Sequence, residues 1–309
     1  MSQYFNGKTA IVTGAGSGIS FSFARLLLEN GANVIFADLQ LRDEAQSLVD
    51  SYSSGQPRAV YKKTDVRQWD QLSELFDLAV HDFGGVDIVC PGAGVYEPEF
   101  SNFWIPPGQE QSIDDPKAGR YASIDINLSH PIRLTQLAIS HFMSGKPAAG
   151  PTNRKSIILI SSTAGQKTPL AAPIYCATKH AINGLVRCLA PLQDRVGIRV
   201  AAVAPGVVKT PLWTEHAEKS RAFEEGKDEW VTPELVAEVM IALVCKEEIA
   251  QNPRDSATDP SSIMVPITGG SVLEVTADYV RNVTAFNDPG PAGRAGSTLH
   301  LRPHLYAIG

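Results

Sequence analysis

Tyr175 and Lys179 lie four positions apart in the segment PIYCATKHAINGL, residues 173–185, which contains no internal proline and reads as a helix. Residues at this spacing are neighbours on one helix face. An ammonium beside a phenol lowers the phenol's pKa from its reference of about 10, and a phenol that titrates nearer neutrality can act as a general acid or base. The same pair also arises by chance on solvated helices, so the rest of the chain has to decide between the two readings.

Positioning such a pair needs a scaffold, and the hydrophobic pattern supplies one. Short apolar runs at 9–13 (TAIVT), 33–38 (NVIFAD), 59–63 (AVYKK), 86–90 (VDIVC), 156–161 (SIILIS) and 198–204 (IRVAAVA) read as buried strands. Helical stretches near 18–30, 41–53, 68–83, 118–144 and 173–194 separate them. Strands alternating with helices predict βαβ units, hence one Rossmann-type, doubly wound parallel sheet with helices on both faces, an α/β fold. The domain is expected over 1–280, with an insert at 95–117, a linker at 144–155 and an irregular stretch at 205–232 that reads as a lid. The last strand candidate is SIMVPITGG, 262–270. A Pro- and Gly-rich tail follows at 281–309, expected to be disordered or to cover a neighbouring subunit's pocket.

The chain has 309 residues, 43% hydrophobic and 19% charged, the composition of an ordinary globular protein. Its formal charge of −6 argues against general affinity for nucleic acid or anionic membranes. Cys90, Cys176, Cys188 and Cys245 are too scattered for a disulfide framework or a metal motif. No secretory leader precedes the first strand, and no run is long enough to span a bilayer. A cytoplasmic protein without a metal is expected.

TGAGSGIS, residues 13–20, follows the first strand and opens the first long helix. There Gly14, Gly16 and Gly18, with Ser17 and Ile19, can bring backbone close to a pyrophosphate at the positive end of that helix. Asp38 ends the second strand some twenty residues on, followed by Leu39, where a carboxylate can accept hydrogen bonds from an adenosine ribose. A plain strand-to-helix turn with a surface aspartate is the alternative. Neither the loop nor the segment up to Arg42 carries a basic side chain, and a 2′-phosphate would face Asp38 uncompensated. The expected cofactor is NAD, with NADP disfavoured.

These pieces, with GAG at 92–94, Asn127 in DINLS, SSTAG at 161–165, YCATK at 175–179 and PGVVKT at 205–210, occur in an order that resembles the short-chain dehydrogenase/reductases. PIYCATKHAINGLVR and ITGGSVLEV look most like the NAD-dependent hydroxyprostaglandin dehydrogenase branch, and the insert EPEFSNFWIPPG looks like filamentous-fungal members. The resemblance implies Tyr175 as general base or acid and Lys179 as the group that lowers its pKa and holds the nicotinamide ribose. Ser162 would hydrogen-bond the substrate oxygen. Asn127 would order a water that links Lys179 to solvent, in a locally opened helix. It also implies adenine contacts from Asp65 and Val66, cofactor contacts from Gly92, Ala93 and Gly94, and a carboxamide site at Pro205, Gly206, Val208 and Thr210. Asp65 reads equally as a helix N-cap. Ser161 is disfavoured against Ser162, because adjacent side chains of an extended segment face opposite ways. Two positions depart from the family pattern: Ser20 stands where a third loop glycine is usual, and Gly92 where an asparagine is usual, leaving backbone groups that need another partner.

Leu212 and Trp213, with Trp230, would bring apolar surface to the substrate side, as would Phe100, Phe103 and Trp104 of the insert. A sizeable apolar secondary alcohol or ketone is the expected small-molecule partner, unless these aromatics only pack the insert or make a subunit contact. Pairing through the helices at 118–144 and 173–194 into a homodimer or homotetramer is expected from the resemblance. A non-redox lyase or cyclase, or a protein that senses NAD without turnover, would be the competing uses of this fold.

Overall fold

The computed structural model describes residues 2–145, 147–215, 229–253 and 261–285. Strands β1 (Thr9–Thr13), β2 (Asn33–Asp38), β3 (Ala59–Lys63), β4 (Ile88–Cys90), β5 (Lys155–Ile160) and β6 (Ile198–Pro205) realise the six apolar runs. The short β7 (Glu248–Ala250) and β8 (Met264–Pro266) form a separate two-stranded antiparallel ribbon. Strands β9 (Val272–Val275) and β10 (Val280–Asn282) complete the main sheet, whose order is β10-β9-β6-β5-β4-β1-β2-β3. All pairings in it are parallel except β9 with β10. The central strands are mostly apolar because helices cover both faces: every residue of β1 and β6 is buried, Arg199 included. The order reverses beside β1, between β2 and β4, which opens a crevice at the carboxyl ends of the strands.

Several expectations need correction. The strand at 262–270 is only Met264–Pro266, and it lies outside the main sheet. Gly269 and Gly270, read from sequence as an ending, instead let the turn before β9 pass close to Ala190, whose atoms a Cβ at either position would strike. β10 then runs across the boundary drawn at 280, so the sheet continues into the segment read as a tail. Of that tail only 281–285 lies among the described residues, as does the lid only at 205–215 and 229–232.

Two helices are broken, each with a proline as the reason. The stretch 118–144 begins with Ala122–Ile124, widens into a π-type turn at Asp125–Ser129 and continues as His130–Ser144. Pro131 has no N–H to give the carbonyl four residues earlier, that of Asn127, so the α pattern lapses there. The stretch 173–194 is Pro173–Cys188 followed by the short Leu192–Val196; Pro191 likewise has no N–H for the Arg187 carbonyl.

Candidate active site

The glycine loop leaves β1 and enters the helix Gly18–Glu29. Gly14 and Gly18 sit at φ of 71° and 60°, the left-handed region where glycine is unstrained. Gly16 donates its N–H to Asp38 Oδ2 at 2.8 Å, and Leu39 N–H donates to Asp38 Oδ1 at 2.7 Å. Asp38 is therefore held by backbone at the end of β2, with its carboxylate at the rim of a cleft of about 590 Å³. The cleft is lined by Gly14, Ser17, Gly18, Ile19, Asp38, Leu39, Asp65 and Val66 at one end. Gly92, Ala93, Gly94, Pro205, Gly206, Val208 and Thr210 line its middle, and Ser162, Tyr175, Lys179, Leu212 and Trp213 the far end. Gly16 and Asn127 stand behind this wall, each buttressing a residue on it. An elongated cleft with a glycine-lined helix N-terminus at one side and a ribose-competent carboxylate suits a dinucleotide.

Asp65 is not a helix cap. Its carboxylate accepts from the Arg67 backbone at 3.0 Å and from the Arg67 guanidinium at 2.7 Å, and that guanidinium holds the carboxyl below its usual range. The helix starts later, at Trp69, behind Gln68.

The two departures from the family pattern meet in space. A Cβ at Gly92 would fall on the Ser20 hydroxyl oxygen and lie 2.9 Å from the Thr13 carbonyl. Ser20 fills the room that a side chain at 92 would occupy, so each substitution suits the other. The Gly92 N–H is satisfied by Thr13 Oγ1 at 2.9 Å. Thr13 is in turn held by the buried His130, whose Nε2 lies 3.0 Å from Thr13 Oγ1 and whose Nδ1 lies 3.0 Å from the Ile126 carbonyl. Because a carbonyl only accepts, Nδ1 carries the proton and Nε2 accepts from the threonine. Burial pushes the imidazole down to about 4, so it is neutral. Gly92→Asn alone is expected to weaken NADH binding by about tenfold or more through this crowding, with much of the loss recovered in Gly92→Asn/Ser20→Gly, as fluorescence titration would show.

At the far end, Ser162 Oγ accepts from Ala164 N–H at 3.1 Å, and its hydroxyl is near enough to the Tyr175 phenol to favour the phenolate. Ser161 faces away, its Oγ 2.6 Å from Asn183 Oδ1. Lys179 Nζ lies 5.3 Å from the Tyr175 ring centroid and donates to the Ile160 carbonyl at 2.7 Å. The expected lowering of the phenol is not what this arrangement produces. Burial pushes Tyr175 up to about 12, opposed by the nearby Ser162 hydroxyl, and burial pulls Lys179 down to about 8. Asn127 sits in the opened turn, as the resemblance requires, but its side chain is spent on Val95: Oδ1 accepts from Val95 N–H at 2.9 Å and Nδ2 donates to Val95 O at 2.8 Å. It thereby fixes the segment after Gly94.

The substrate side differs from expectation. Phe100 lines the cleft, with Ile113 of the same insert. Phe103 and Trp104 do not: they are half exposed, stack edge-on at 4.9 Å and anchor to the Leu170 carbonyl through the indole N–H. Trp230 is also absent from the lining. Tyr96, missed in the sequence, places its ring 4.8 Å from that of Tyr175 and 4.9 Å from that of Trp213. Its position two residues after the GAG segment, beyond a strand's carboxyl end, was the available signal.

With this geometry in view, similarity to known proteins is informative. A family model described as short chain dehydrogenase matches residues 8–221. The chain is 29% identical over 282 residues to cis-4-hydroxycyclohexanecarboxylate dehydrogenase of Sinomonas cyclohexanicum, covering 90% of this chain and 99% of that one. It is 31% identical over 245 residues to cyclohexanol dehydrogenase of Acinetobacter sp. strain SE19, covering 79% and 90%. In structure it resembles the 3-ketoacyl-(acyl-carrier-protein) reductase of Brucella melitensis solved with NADH, with a TM-score of 0.64 and 24% identity over 88% of this chain and 98% of that one, a likeness of fold. The chain belongs to the short chain dehydrogenase family and is an enzyme of the oxidoreductase class. Among the described residues no helix is long and apolar enough to cross a membrane, and no group of His, Cys, Asp or Glu is placed to hold a metal.

Proposed function

We propose that the protein is an NAD-dependent dehydrogenase of secondary alcohols with a sizeable apolar body, also able to run the reverse reduction. The observation that carries this reading is that Ser162, Tyr175 and Lys179 line the same cleft as the glycine loop and Asp38. NAD, when bound, supplies the hydride acceptor. Ser162 and Tyr175 bind the substrate hydroxyl, and Tyr175 removes its proton as the carbinol hydrogen departs. Lys179, pulled down to about 8 by burial, stabilises the tyrosinate that accepts this proton and would hold the nicotinamide ribose. Asn127 holds Val95, and so the cleft floor, in place.

Preference for NAD is supported by Asp38 and by a second feature. Arg42, the nearest cation following β2, is engaged by Glu215 through both carboxylate oxygens at 2.5 and 2.6 Å, and is not free for a 2′-phosphate. An apolar substrate is supported by the rings of Phe100 and Trp213 with Leu212 and Ile113, which line the cleft, Tyr96 packing against Trp213. Two relatives, named for cyclohexanol and 4-hydroxycyclohexanecarboxylate, favour ring alcohols, while the motif resemblance adds prostanoids. Assembly as a homodimer or homotetramer and a cytoplasmic setting complete the reading, the first testable by light scattering.

The test is oxidation of a panel with NAD and with NADP: cyclohexanol, 4-hydroxycyclohexanecarboxylate, a steroid and a prostanoid alcohol, against sugar alcohols. Turnover of the cyclic and larger apolar alcohols with NAD is expected. Turnover of sugars alone would defeat the substrate reading, and product formation independent of dinucleotide would defeat the dehydrogenase reading.

A further inference from the structure

Glu97 belongs to the insert, yet its buried carboxylate serves the catalytic helix. Its Oε2 accepts the Tyr175 N–H at 2.9 Å and its Oε1 accepts the Ile174 N–H and the Phe103 N–H, each at 3.3 Å. Its own carbonyl accepts from Asn102 Nδ2 at 2.9 Å. The helix Pro173–Cys188 opens with a proline that has no N–H, so Ile174 and Tyr175 carry the first donors needing a partner, and Ala172 at the cap position offers no side-chain acceptor. A serine or aspartate at 172 would be the local solution. This chain reaches across 78 residues instead, and does so with Glu97 at φ 37°, the sole non-glycine residue at positive φ among those described. That conformation is unfavourable for a side chain bearing a Cβ and persists only where surrounding contacts enforce it.

The neighbouring residue shows what the strain achieves. Tyr96 packs edge-on against the Tyr175 ring and against Trp213, so one dipeptide grips the catalytic tyrosine by its backbone N–H and by its ring. We propose that Glu97 is a positioning residue: it locks the insert, whose Phe100 and Ile113 line the cleft, onto the first turn of the helix that presents Tyr175. Substrate wall and proton acceptor thus move as one body. The role assigned to Tyr175 rests on the dehydrogenase reading above; the mechanical link does not.

The test separates a mere helix cap from a positioning group. Glu97→Gln keeps shape and loses charge; Glu97→Ala/Ala172→Ser removes the cross-link but restores a local cap. For Glu97→Gln, kcat on cyclohexanol should fall by about tenfold to a hundredfold and KM rise, with NADH affinity changed by less than about twofold. The amides of Ile174 and Tyr175 should exchange faster. In Glu97→Ala/Ala172→Ser amide protection should return while turnover stays low. A second arm needs no turnover: the Tyr175 phenol, labelled with 13C at Cζ and assigned through Tyr175→Phe, is titrated in each variant. The charged and titratable groups around it are Tyr96 and Glu97 of the insert and Cys176 and Lys179 of its own helix; the Ser162 hydroxyl faces it from beyond β5. Desolvation is what raises the phenol, so loosening its packing and admitting water should lower the midpoint in both variants. Full recovery of turnover and midpoint by the local cap, or an unchanged kcat, KM and midpoint in Glu97→Gln, would overturn the proposal. A wild-type protein inert toward the whole panel would sink the dehydrogenase reading, and the titration would still decide this one.

Discussion

Tyr175→Phe is expected to lower kcat/KM for alcohol oxidation by about 10²- to 10⁴-fold, the range that a positioned general base contributes, while NADH affinity changes by less than about twofold. The phenol hydroxyl is the group lost, and the ring contacts with Tyr96 remain available to phenylalanine. The pH dependence fixes the role. Oxidation needs the deprotonated phenol, and burial raises Tyr175 to about 12, so wild-type oxidation should climb across the alkaline range, while reduction, which uses the protonated phenol, should stay level up to about pH 10. In Tyr175→Phe this slope should vanish. The linked stability effect has the opposite sense: a raised phenol pKa stabilises the fold below about 10 and is lost as pH rises toward 12. Steady-state rates from pH 6 to 10 with direct NADH titration check both parts; a variant retaining wild-type turnover would remove Tyr175 from the chemistry.

Asp38→Ala should weaken NAD binding by about 10- to 100-fold, the equivalent of one or two charge-assisted hydrogen bonds. In the same variant discrimination against NADP should shrink, since the carboxylate that would repel a 2′-phosphate is gone. Part of the loss is indirect: Gly16 N–H and Leu39 N–H both donate to Asp38, and the glycine loop loses its anchor with the side chain. Calorimetric titration of both dinucleotides distinguishes the two contributions, because ribose recognition affects NAD selectively while loop loosening weakens both. Equal weakening of NAD and NADP would assign Asp38 to the loop alone.

The central sheet was legible in the sequence because its strands are largely buried and read as short, mainly apolar runs. β9 and β10 were not, being three or four residues long and preceded by glycines that mimic an ending. The opened turn around Asn127 was expected from the resemblance, while its physical cause, Pro131, stands four residues on. Ser20 and Gly92 were visible as two separate anomalies 72 positions apart, and only the fold shows them to be one. The link from Glu97 to Tyr175 had no local signature at all, since a glutamate in an irregular insert reads as solvated. Phe103 and Trp104 misled for the converse reason: aromatic composition reports neither direction nor depth.

His130 gives the protein a built-in sensitivity to acid. The unfolded chain accepts a proton on this imidazole near pH 6.5, whereas the folded interior refuses it until about 4. The stabilisation is whole above the upper value and drains away as the pH falls through the interval, by about 3 kcal/mol from this one ring. Its two bonds reach the end of the first strand and the turn that bears Asn127. Acidification therefore strikes the floor of the cleft first, and dinucleotide release should precede the loss of helical structure in an acid titration.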